Sequence, residues 1–316
     1  MPELRFDDRV AVVTGGGRGL GRSYALLLAS RGAKVVVNDS GGSLAGDDTD
    51  AMPAADVVGE ITTAGGEAVA NTDSVATAAG GKAIVDAALD RYGRLDVLVH
   101  NAGIVRRGSL KEMTTEDFDA VLDVHLRGAF HLVRTAFPAM CDAGYGRVVL
   151  TSSIGGLYGN HDVANYAAAK AGIVGLSNVV ALEGETHGVT SNVIVPGALT
   201  RMAAGLDTSA YPPMDPELVA PAVGWLAHES CTITGEILAA IAGRIARVVV
   251  AETRGVHRPS WTIEQVAEHI DAIRDLSDPI VFPVVPDGHA QHIGFSFGMA
   301  SQTAHARSGK ATVHNG

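Results

Sequence analysis

Short apolar runs alternate with longer helical patterns over most of the chain. Each run is nearly continuous in valine, leucine and isoleucine, which is typical of strands buried on both faces of a parallel sheet. The runs lie at residues 10–13, 34–37, 95–99, 147–150 and 192–195. The helical patterns lie near residues 19–31, 51–64, 76–92, 115–142, 164–187 and 215–228. Strands and helices that alternate at these lengths form right-handed βαβ crossovers, so the sequence predicts an α/β fold with a doubly wound parallel sheet.

The alternation stops near residue 245, and the remaining residues follow another pattern. A strand candidate over 245–250 is followed by a helix that begins with a capping-box sequence, Thr262 to Gln265. Its apolar positions recur at helical spacing: Ile263, Val266, Ile270, Ile273 and Leu276. We therefore expect a first domain over 1–245, with its sheet complete before residue 246, and a C-terminal extension over 246–316 with one amphipathic helix. The apolar face of this helix needs a cover, which we expect on the ligand side of its own subunit or on a partner subunit.

A glycine-rich segment follows the first predicted strand and opens the first helix. Gly15, Gly19 and Gly21 allow a tight strand-to-helix turn, and they let an anionic ligand approach the amides at the helix N-terminus. Arg18 and Leu20 lie between them and are assigned to the same site. The pyrophosphate of a dinucleotide binds in this way, so the pattern indicates a Rossmann fold with a cofactor-binding loop.

An acidic residue, Asp39, follows the second predicted strand, 18 residues after Gly21. A glycine turn with only a structural role would not predict an acid at this place. A carboxylate here accepts hydrogen bonds from the ribose hydroxyls of NAD and repels the 2′-phosphate of NADP. Arg18 is the counter-argument, because a guanidinium in the glycine loop can hold a 2′-phosphate. We expect NAD as the cofactor, with NADP as the alternative.

Tyr166 and Lys170 lie four residues apart in a predicted helix and therefore on one face of it. An ammonium group beside a phenol favours the phenolate, so we expect Lys170 to lower the pKa of Tyr166 and to make the phenol a general base. Ser153 follows the predicted strand at 147–150. Its separation of 13 residues from Tyr166 allows a loop that brings the serine hydroxyl beside the phenol.

Together these motifs resemble the short-chain dehydrogenase/reductase family. The matching pieces, within residues 6–240, are Thr14-Gly15-x-x-x-Gly19-x-Gly21, His100-Asn101-Ala102-Gly103 in place of the usual Asn-Asn-Ala-Gly, Ser153, Tyr166-x-x-x-Lys170 and Pro196-Gly197. The resemblance implies an oxidoreductase that acts on CH–OH groups, with Ser153, Tyr166 and Lys170 as its catalytic residues. It also implies that Asp73 lies near the adenine and that Thr200 faces the nicotinamide amide. The full set that it assigns to the cofactor, beyond the glycine loop and Asp39, is Asp73, Ser74, Asn101, Ala102, Gly103, Tyr166, Lys170, Pro196, Gly197 and Thr200.

One position departs from the family pattern. Many members have an asparagine in the helix that precedes the catalytic strand, whereas this chain has His125 at the matching place. An imidazole donates and accepts protons near neutral pH, so we include His125 among the catalytic candidates as part of a proton path to solvent. A packed helix residue is the alternative interpretation.

Several segments resemble one branch of the family, the dehydrogenase units of type 2 peroxisomal multifunctional enzymes. They are Arg5-Phe-Asp7, Val37-Asn-Asp39 followed by a Gly-Gly loop, Val124-His-Leu-Arg-Gly128, Tyr145-Gly-Arg147, Leu157-Tyr-Gly-Asn160 and His228-Glu-Ser-Cys231. Members of that branch oxidise (3R)-hydroxyacyl-CoA thioesters to 3-ketoacyl-CoA with NAD, so the resemblance implies this substrate and a place in lipid metabolism. A hydroxysteroid, another secondary alcohol or the reduction of a 3-ketoacyl thioester keeps the same chemistry and stays open. A catalytically silent NAD(P) sensor would need a broken Ser-Tyr-Lys set, and here the set is intact.

Charge and composition argue against several other classes. The chain has 24 lysines and arginines against 35 aspartates and glutamates, a net charge of −11, so a nucleic-acid partner is not expected. No apolar run is long enough to cross a membrane, and Cys141 and Cys231 have no metal-ligand spacing, so we expect neither membrane association nor a metal site. Because we find neither a secretion signal nor a C-terminal peroxisomal signal, we expect a stand-alone cytoplasmic protein. The family resemblance implies a homodimer or a homotetramer.

Overall fold

The structure is a computed structural model that describes residues 2–43, 45–46, 52–200 and 210–308, with side chains up to residue 301. These residues contain a single eight-stranded sheet with the order β3-β2-β1-β4-β5-β6-β7-β8. Its strands are β1 (Val10–Thr14), β2 (Lys34–Asn38), β3 (Glu67–Asn71), β4 (Val97–His100), β5 (Gly146–Thr151), β6 (Val189–Gly197), β7 (Ile237–Ile241) and β8 (Arg244–Val248). All neighbours pair in parallel except β7 and β8, which are antiparallel. The predicted doubly wound α/β fold is confirmed.

Two strands lie outside the apolar runs that the sequence predicted. The edge strand β3 has partly exposed side chains, so its sequence contains no continuous apolar run. The strand β7 contains two alanines, which have a low strand propensity. The sheet also continues past the expected boundary, because β8 pairs with β7 through residues that include Ala246 and Val248. The expectation that the sheet is complete before residue 246 is therefore wrong.

Helices cover both faces of this sheet. They are α1 (Gly19–Ser30), α2 (Met52–Thr63), α3 (Ala78–Tyr92), α4 (Thr115–Leu122), α5 (Gly128–Asp142), α6 (Ile154–Tyr158), α7 (Ala164–Gly184) and α8 (Ala220–Ala227). One apolar core includes residues of α1, α2 and α8, and the other includes residues of α3, α5 and α7. The helix predicted over 115–142 is divided into α4 and α5 by a five-residue π-helix, Asp123–Arg127, which we call the π segment.

The chain divides into two compact units, Met1–Val248 and Val249–Gly316. The second unit contains α9 (Ile263–Glu268), α10 (Ile270–Ile273) and α11 (Gly288–Ser308). The expectation of one amphipathic helix is wrong, because His269, with φ −101° and ψ 7°, interrupts the predicted helix and α11 follows it. The capping box at Thr262 is formed. The predicted apolar face is exposed at Ile263 and Leu276 (86% and 65%), and its cover stays a prediction.

In the ranges that the structure describes, every helix is too short or too polar to span a membrane.

Candidate active site

A cleft of about 690 Å³ lies where the parallel strands end at their carboxyl side. In a sheet of this order, ligands bind where the strand order reverses, here between β1 and β4. Most residues predicted for the site line this cleft: Gly15, Arg18, Gly19, Leu20, Asp39, Asp73, Ser74, Asn101, Ala102, Gly103, His125, Tyr166, Lys170, Pro196, Gly197 and Thr200. The remaining two, Gly21 and Ser153, contact lining residues.

The glycine loop packs so closely that side chains are excluded at two positions. A Cβ atom at Gly21 would lie 2.0 Å from the carbonyl oxygen of Gly15, and one at Gly15 would lie 2.9 Å from Cα of Ala102. Gly15 also has φ +60°, which L side chains rarely adopt. The first residues of α1, Gly19 and Leu20, line the cleft directly after this turn. The loop therefore fits the pyrophosphate of a nicotinamide dinucleotide, which binds at a helix N-terminus.

Asp39 follows β2 and is held by two backbone amides. Its Oδ2 accepts a hydrogen bond from the amide of Gly17 at 3.0 Å, and its Oδ1 accepts one from Gly41 at 2.9 Å. Each carboxylate oxygen keeps a second lone pair. The fixed carboxylate therefore fits the ribose hydroxyls that the sequence assigned to it, and Arg18 lines the same cleft.

The segment after β3 is tied to the end of β2 by Asn38. The Asn38 side chain donates hydrogen bonds to Oδ1 of Asn71 at 2.8 Å and to the backbone oxygen of Asp73 at 2.9 Å. Asp73 and Ser74 are thereby held at the cleft. Sequence reasoning did not assign Asn38 to the site. The signal in the sequence was a polar residue at the end of an apolar run. In the folded protein, Asn38 is 2% exposed.

Strand β5 and helices α6 and α7 bring the catalytic candidates together. Ser153 is the N-cap of α6, where its Oγ accepts a hydrogen bond from the amide of Gly155 at 3.1 Å. The same hydroxyl lowers the pKa of the Tyr166 phenol, which it faces. The Lys170 Nζ donates to the backbone oxygen of Thr151 at 2.6 Å and lies 5.6 Å from the centre of the Tyr166 ring. The structure thus brings together the three side chains that the sequence selected.

The charges of Tyr166 and Lys170 differ from the prediction. Burial raises the pKa of the Tyr166 phenol above its ordinary value, and the Ser153 hydroxyl opposes that rise only in part. Burial also lowers the pKa of the Lys170 ammonium to about 7. The expectation that Lys170 lowers the pKa of Tyr166 is therefore wrong for the protein by itself, because desolvation dominates for both groups.

His125 lies in the π segment and is fully buried beside the cleft. Its ring packs edge-to-face against Tyr166, with 5.1 Å between the ring centres. Its Nε2 lies 2.8 Å from the backbone oxygen of Ile104 and 3.2 Å from the amide nitrogen of the same residue, so the backbone of Ile104 holds the ring in either neutral tautomer. Burial, aided by the charge of Lys170, holds the pKa of His125 well below its usual value. His125 is therefore a neutral imidazole, and this environment favours positioning over proton transfer as its role.

The end of β6 supplies a further part of the cleft. A Cβ atom at Gly197 would lie 2.7 Å from Cγ1 of Ile241 on β7, so glycine permits the close approach of the two strands. The amide of Leu199 donates to the backbone oxygen of Met214 at 2.7 Å. Met214 and Tyr211 line the cleft, but no sequence motif marked them.

Within the described residues, we find no group of three or more histidines, cysteines or carboxylates arranged to hold a metal ion.

Sequence comparison relates the chain to known enzymes. Residues 9–209 match the family model for short chain dehydrogenases. The chain is 47% identical over 281 residues to peroxisomal multifunctional enzyme type 2 of Drosophila melanogaster, in an alignment that covers 87% of this chain and 46% of that protein. It is also 39% identical over 238 residues to a 3-oxoacyl-[acyl-carrier-protein] reductase of Synechocystis sp., covering 72% of this chain and 93% of that protein. The chain spans less than half the length of the multifunctional enzymes of Drosophila (46%) and mouse (38%).

Solved structures give the same relationship. The full-length peroxisomal multifunctional enzyme type 2 from Drosophila melanogaster aligns with a TM-score of 0.79 and 39% identity, covering 95% of this chain and 50% of that one. A short chain dehydrogenase from Mycobacterium avium aligns with a TM-score of 0.74 and 39% identity, covering 85% of this chain and 95% of that one.

Proposed function

Because this chain belongs to the short-chain dehydrogenase family, we propose that it oxidises a (3R)-hydroxyacyl-CoA thioester to the 3-ketoacyl-CoA with NAD. Membership of the family makes it an oxidoreductase that acts on CH–OH groups with a nicotinamide cofactor. The observation that carries the finer proposal is the cleft itself, which combines Tyr166 and Lys170 with Asp39 in a chain similar to the multifunctional enzymes.

Residues on both sides of the cleft fit the cofactor. The glycine loop would hold the pyrophosphate, Asp39 the adenine ribose and Lys170 the nicotinamide ribose. When bound, the oxidised nicotinamide accepts the hydride that leaves the carbinol carbon of the substrate.

The protein supplies the proton transfer. Ser153 holds the substrate oxygen beside the phenol of Tyr166, whose pKa the serine hydroxyl lowers. The Tyr166 phenolate takes the proton of the substrate hydroxyl while the carbonyl forms. Lys170, when charged, stabilises that phenolate. Since the pKa of Tyr166 is raised by burial, the phenolate is a strong base once it forms.

We propose NAD over NADP because the carboxylate of Asp39 is fixed at the cleft. Its two hydrogen bonds to backbone amides leave it little freedom to turn away from a 2′-phosphate. A phosphate at that position would meet like charge. Arg18 opposes this preference, because it lines the same cleft.

Reduction of a 3-oxoacyl thioester on a carrier protein is the second candidate. The identity of 39% to a 3-oxoacyl-[acyl-carrier-protein] reductase favours it. This reduction transfers the same proton and hydride in the opposite direction. The thioester carrier, CoA or a carrier protein, and the preferred cofactor therefore distinguish the two proposals.

Steady-state kinetics with the purified protein tests both proposals. The panel contains (3R)-hydroxyacyl-CoA and its (3S) epimer, a 3-oxoacyl carrier-protein thioester, a hydroxysteroid and a simple secondary alcohol, each with NAD(H) and NADP(H). We expect the highest kcat/KM for the (3R)-hydroxyacyl-CoA with NAD. A higher value for carrier-protein reduction would replace the first proposal with the second, and a higher value for the steroid or the simple alcohol would reject both.

Assembly and location also belong to the proposal. Apolar side chains are exposed on α5 at Phe130 and on α7 at Val179 and Leu182, which supports a homodimer or homotetramer formed through these helices. Light scattering of the purified protein measures the mass, and a monomer would contradict this. We propose a cytoplasmic location, which fluorescence microscopy of the tagged full chain tests.

A further inference from the structure

Two buried histidines, His100 and His125, connect β4 with the π segment. They are 1% and 0% exposed, and the structure describes both rings in full. Neither the hydride transfer nor the proton transfer above uses His100. Its place in the fold therefore needs another explanation.

The hydrogen bonds of His100 fix its protonation. Its Nε2 lies 3.0 Å from the backbone oxygen of His125, and its Nδ1 lies 2.9 Å from Oγ1 of Thr14. A carbonyl oxygen only accepts, so Nε2 carries the proton and Nδ1 accepts the hydroxyl proton of Thr14. The Thr14 oxygen in turn accepts from the amides of Asn101 and Ala102, each at 3.2 Å. One neutral tautomer satisfies all of these contacts.

His125 makes the corresponding bond in the opposite direction. It lies in the π segment, and its Nε2 is hydrogen bonded to the backbone of Ile104 in the loop that follows β4, 2.8 Å from the oxygen and 3.2 Å from the amide nitrogen. Each imidazole is thus hydrogen bonded through its Nε2 to the backbone of the other histidine's segment. We call this reciprocal pair the histidine clip.

The π segment gives the backbone oxygen of His125 two donors. Its hydrogen bonds skip one residue further than in an α-helix, as in the bond from the Gly128 amide to the oxygen of Asp123. This displacement disturbs the α-helical pairing around His125. The oxygen of His125 accepts from the Gly128 amide directly after the segment and from the Nε2–H of His100 on β4, so the second bond ties the segment to the sheet.

The ring of His125 also occupies the space beside Gly103, where a side chain is absent. A Cβ atom at Gly103 would lie 2.4 Å from Cε1 of that ring. On another side the ring meets Tyr166 edge-to-face, at 85° between the planes. The position of His125 therefore sets the packing of Gly103 and of the phenol at once.

We propose that the histidine clip holds the π segment against β4 and thereby positions Tyr166, with His100 as a positioning residue that contacts neither substrate nor cofactor. The proposal goes beyond the proposed function, since it holds for any alcohol that the cleft accepts. In this proposal the two histidines position the π segment and Tyr166, and both rings stay neutral throughout.

The test compares three variants. His100→Leu keeps much of the side-chain volume and removes both hydrogen bonds, whereas His100→Gln keeps an amide donor and an acceptor. The matched control is His228→Leu, because His228 is also a buried histidine with both nitrogens hydrogen bonded, to Arg5 and Ser230, and it does not line the cleft.

The first measurement is amide hydrogen exchange over residues 123–128 in the protein without ligand. We expect His100→Leu to raise exchange there by about tenfold or more, as the loss of a buried hydrogen bond predicts. His100→Gln should stay near the wild type, and His228→Leu should leave this segment unchanged. This measurement needs no substrate, so it tests the clip even if the panel of alcohols shows the proposed function to be wrong.

The second measurement compares the effect of each variant on kcat with its effect on the dissociation constant for NAD. We expect His100→Leu to lower kcat by about tenfold while the dissociation constant for NAD stays within about twofold, because Thr14 still accepts the amides of Asn101 and Ala102. We expect His100→Gln to restore most of kcat. Unchanged exchange and kcat in His100→Leu would overturn the proposal, and so would equal losses in both His100 variants. If His100→Leu does not fold, loss of protection over 123–128 in His100→Gln overturns it.

Discussion

The two walls of the cleft depend on different kinds of chemical groups. The cofactor wall, formed by the glycine loop and Asp39, depends on backbone groups that pack closely because side chains are absent. The catalytic wall, formed around Tyr166, Lys170 and His125, depends on ionisable side chains that burial holds away from their ordinary pKa values. Added volume should therefore damage the first wall, whereas changes in polarity or charge should damage the second.

The sharpest test of this contrast is Tyr166→Phe, which removes one oxygen from the catalytic wall. We expect turnover to fall by about 10²- to 10⁴-fold, because the proton acceptor is lost. The dissociation constant for NAD should stay within about twofold, because the cofactor wall is untouched. Kinetics and cofactor titration measure the two effects. Turnover near the wild-type value would remove Tyr166 from the mechanism.

The converse test adds one methyl group to the cofactor wall. Gly21→Ala places a Cβ atom 2.0 Å from the oxygen of Gly15, so the loop must shift. We expect a loss of roughly 1–3 kcal/mol in the free energy of unfolding, together with weaker NAD binding. Denaturant unfolding and cofactor titration are the measurements.

The matched control for that substitution is Gly59→Ala. Gly59 lies in α2, and a Cβ atom there meets nothing within 4 Å. This variant should gain about 0.4–1 kcal/mol and keep its NAD affinity. If the two variants had the same free energy of unfolding and the same NAD affinity, the glycine loop would not depend on close packing.

Acid should weaken the catalytic wall in particular. Burial lowers the pKa of His100 to about 3 and that of His125 well below its usual value, with the charge of Lys170 adding to both shifts. As the pH falls from 6.5 to 5, the unfolded chain binds protons that the folded protein does not, so the free energy of unfolding decreases. Each histidine contributes a slope that approaches about 1.4 kcal/mol per pH unit.

Urea unfolding at several pH values measures this slope. Carboxylates stay mostly ionised in this window, so the histidines dominate the change. His100→Gln should show the shallower slope of one fewer buried histidine. An equal slope in this variant and the wild type would contradict the neutral burial of His100.

The smallest effect is expected at the electrostatic part of the cofactor wall. Asp39→Ser removes the carboxylate that faces a 2′-phosphate but leaves the glycines in place. We expect the preference for NAD over NADP in kcat/KM to narrow by about tenfold, roughly 1.4 kcal/mol. A wild-type protein that already prefers NADP would show that Arg18 outweighs Asp39.

The cofactor wall was accessible to sequence reasoning because local spacing determines it. Glycines directly after one strand and an acid directly after the next are brought to the same edge of a parallel sheet by the crossover rule. Asn38 and Tyr211 were not assigned to the site, because no motif gives either side chain a role there, and only the folded chain places them at the cleft. The edge strands β3 and β8 were missed or misplaced for a related reason, since exposed strands lack a continuous apolar run.

The catalytic wall shows what pattern alone leaves open. Sequence spacing selected Tyr166 and Lys170 correctly as neighbours, yet the predicted direction of the Tyr166 pKa was wrong. Spacing reports which groups are close, whereas desolvation depends on everything that covers them. The π segment likewise interrupts the sequence periodicity that predicted one continuous helix over 115–142.

By itself, the sequence determined the alternating sheet and helices, the glycine loop, the acid at the end of β2 and the pairing of Tyr166 with Lys170, because each follows from periodicity or short spacing along the chain. Only the tertiary structure decided that His100 and His125 are neutral, and that their rings are hydrogen bonded to the backbone of His125 and of Ile104. The two histidines are 25 positions apart in the chain. Burial keeps both rings neutral, and this burial and the hydrogen-bond partners exist only after the chain has folded around the rings.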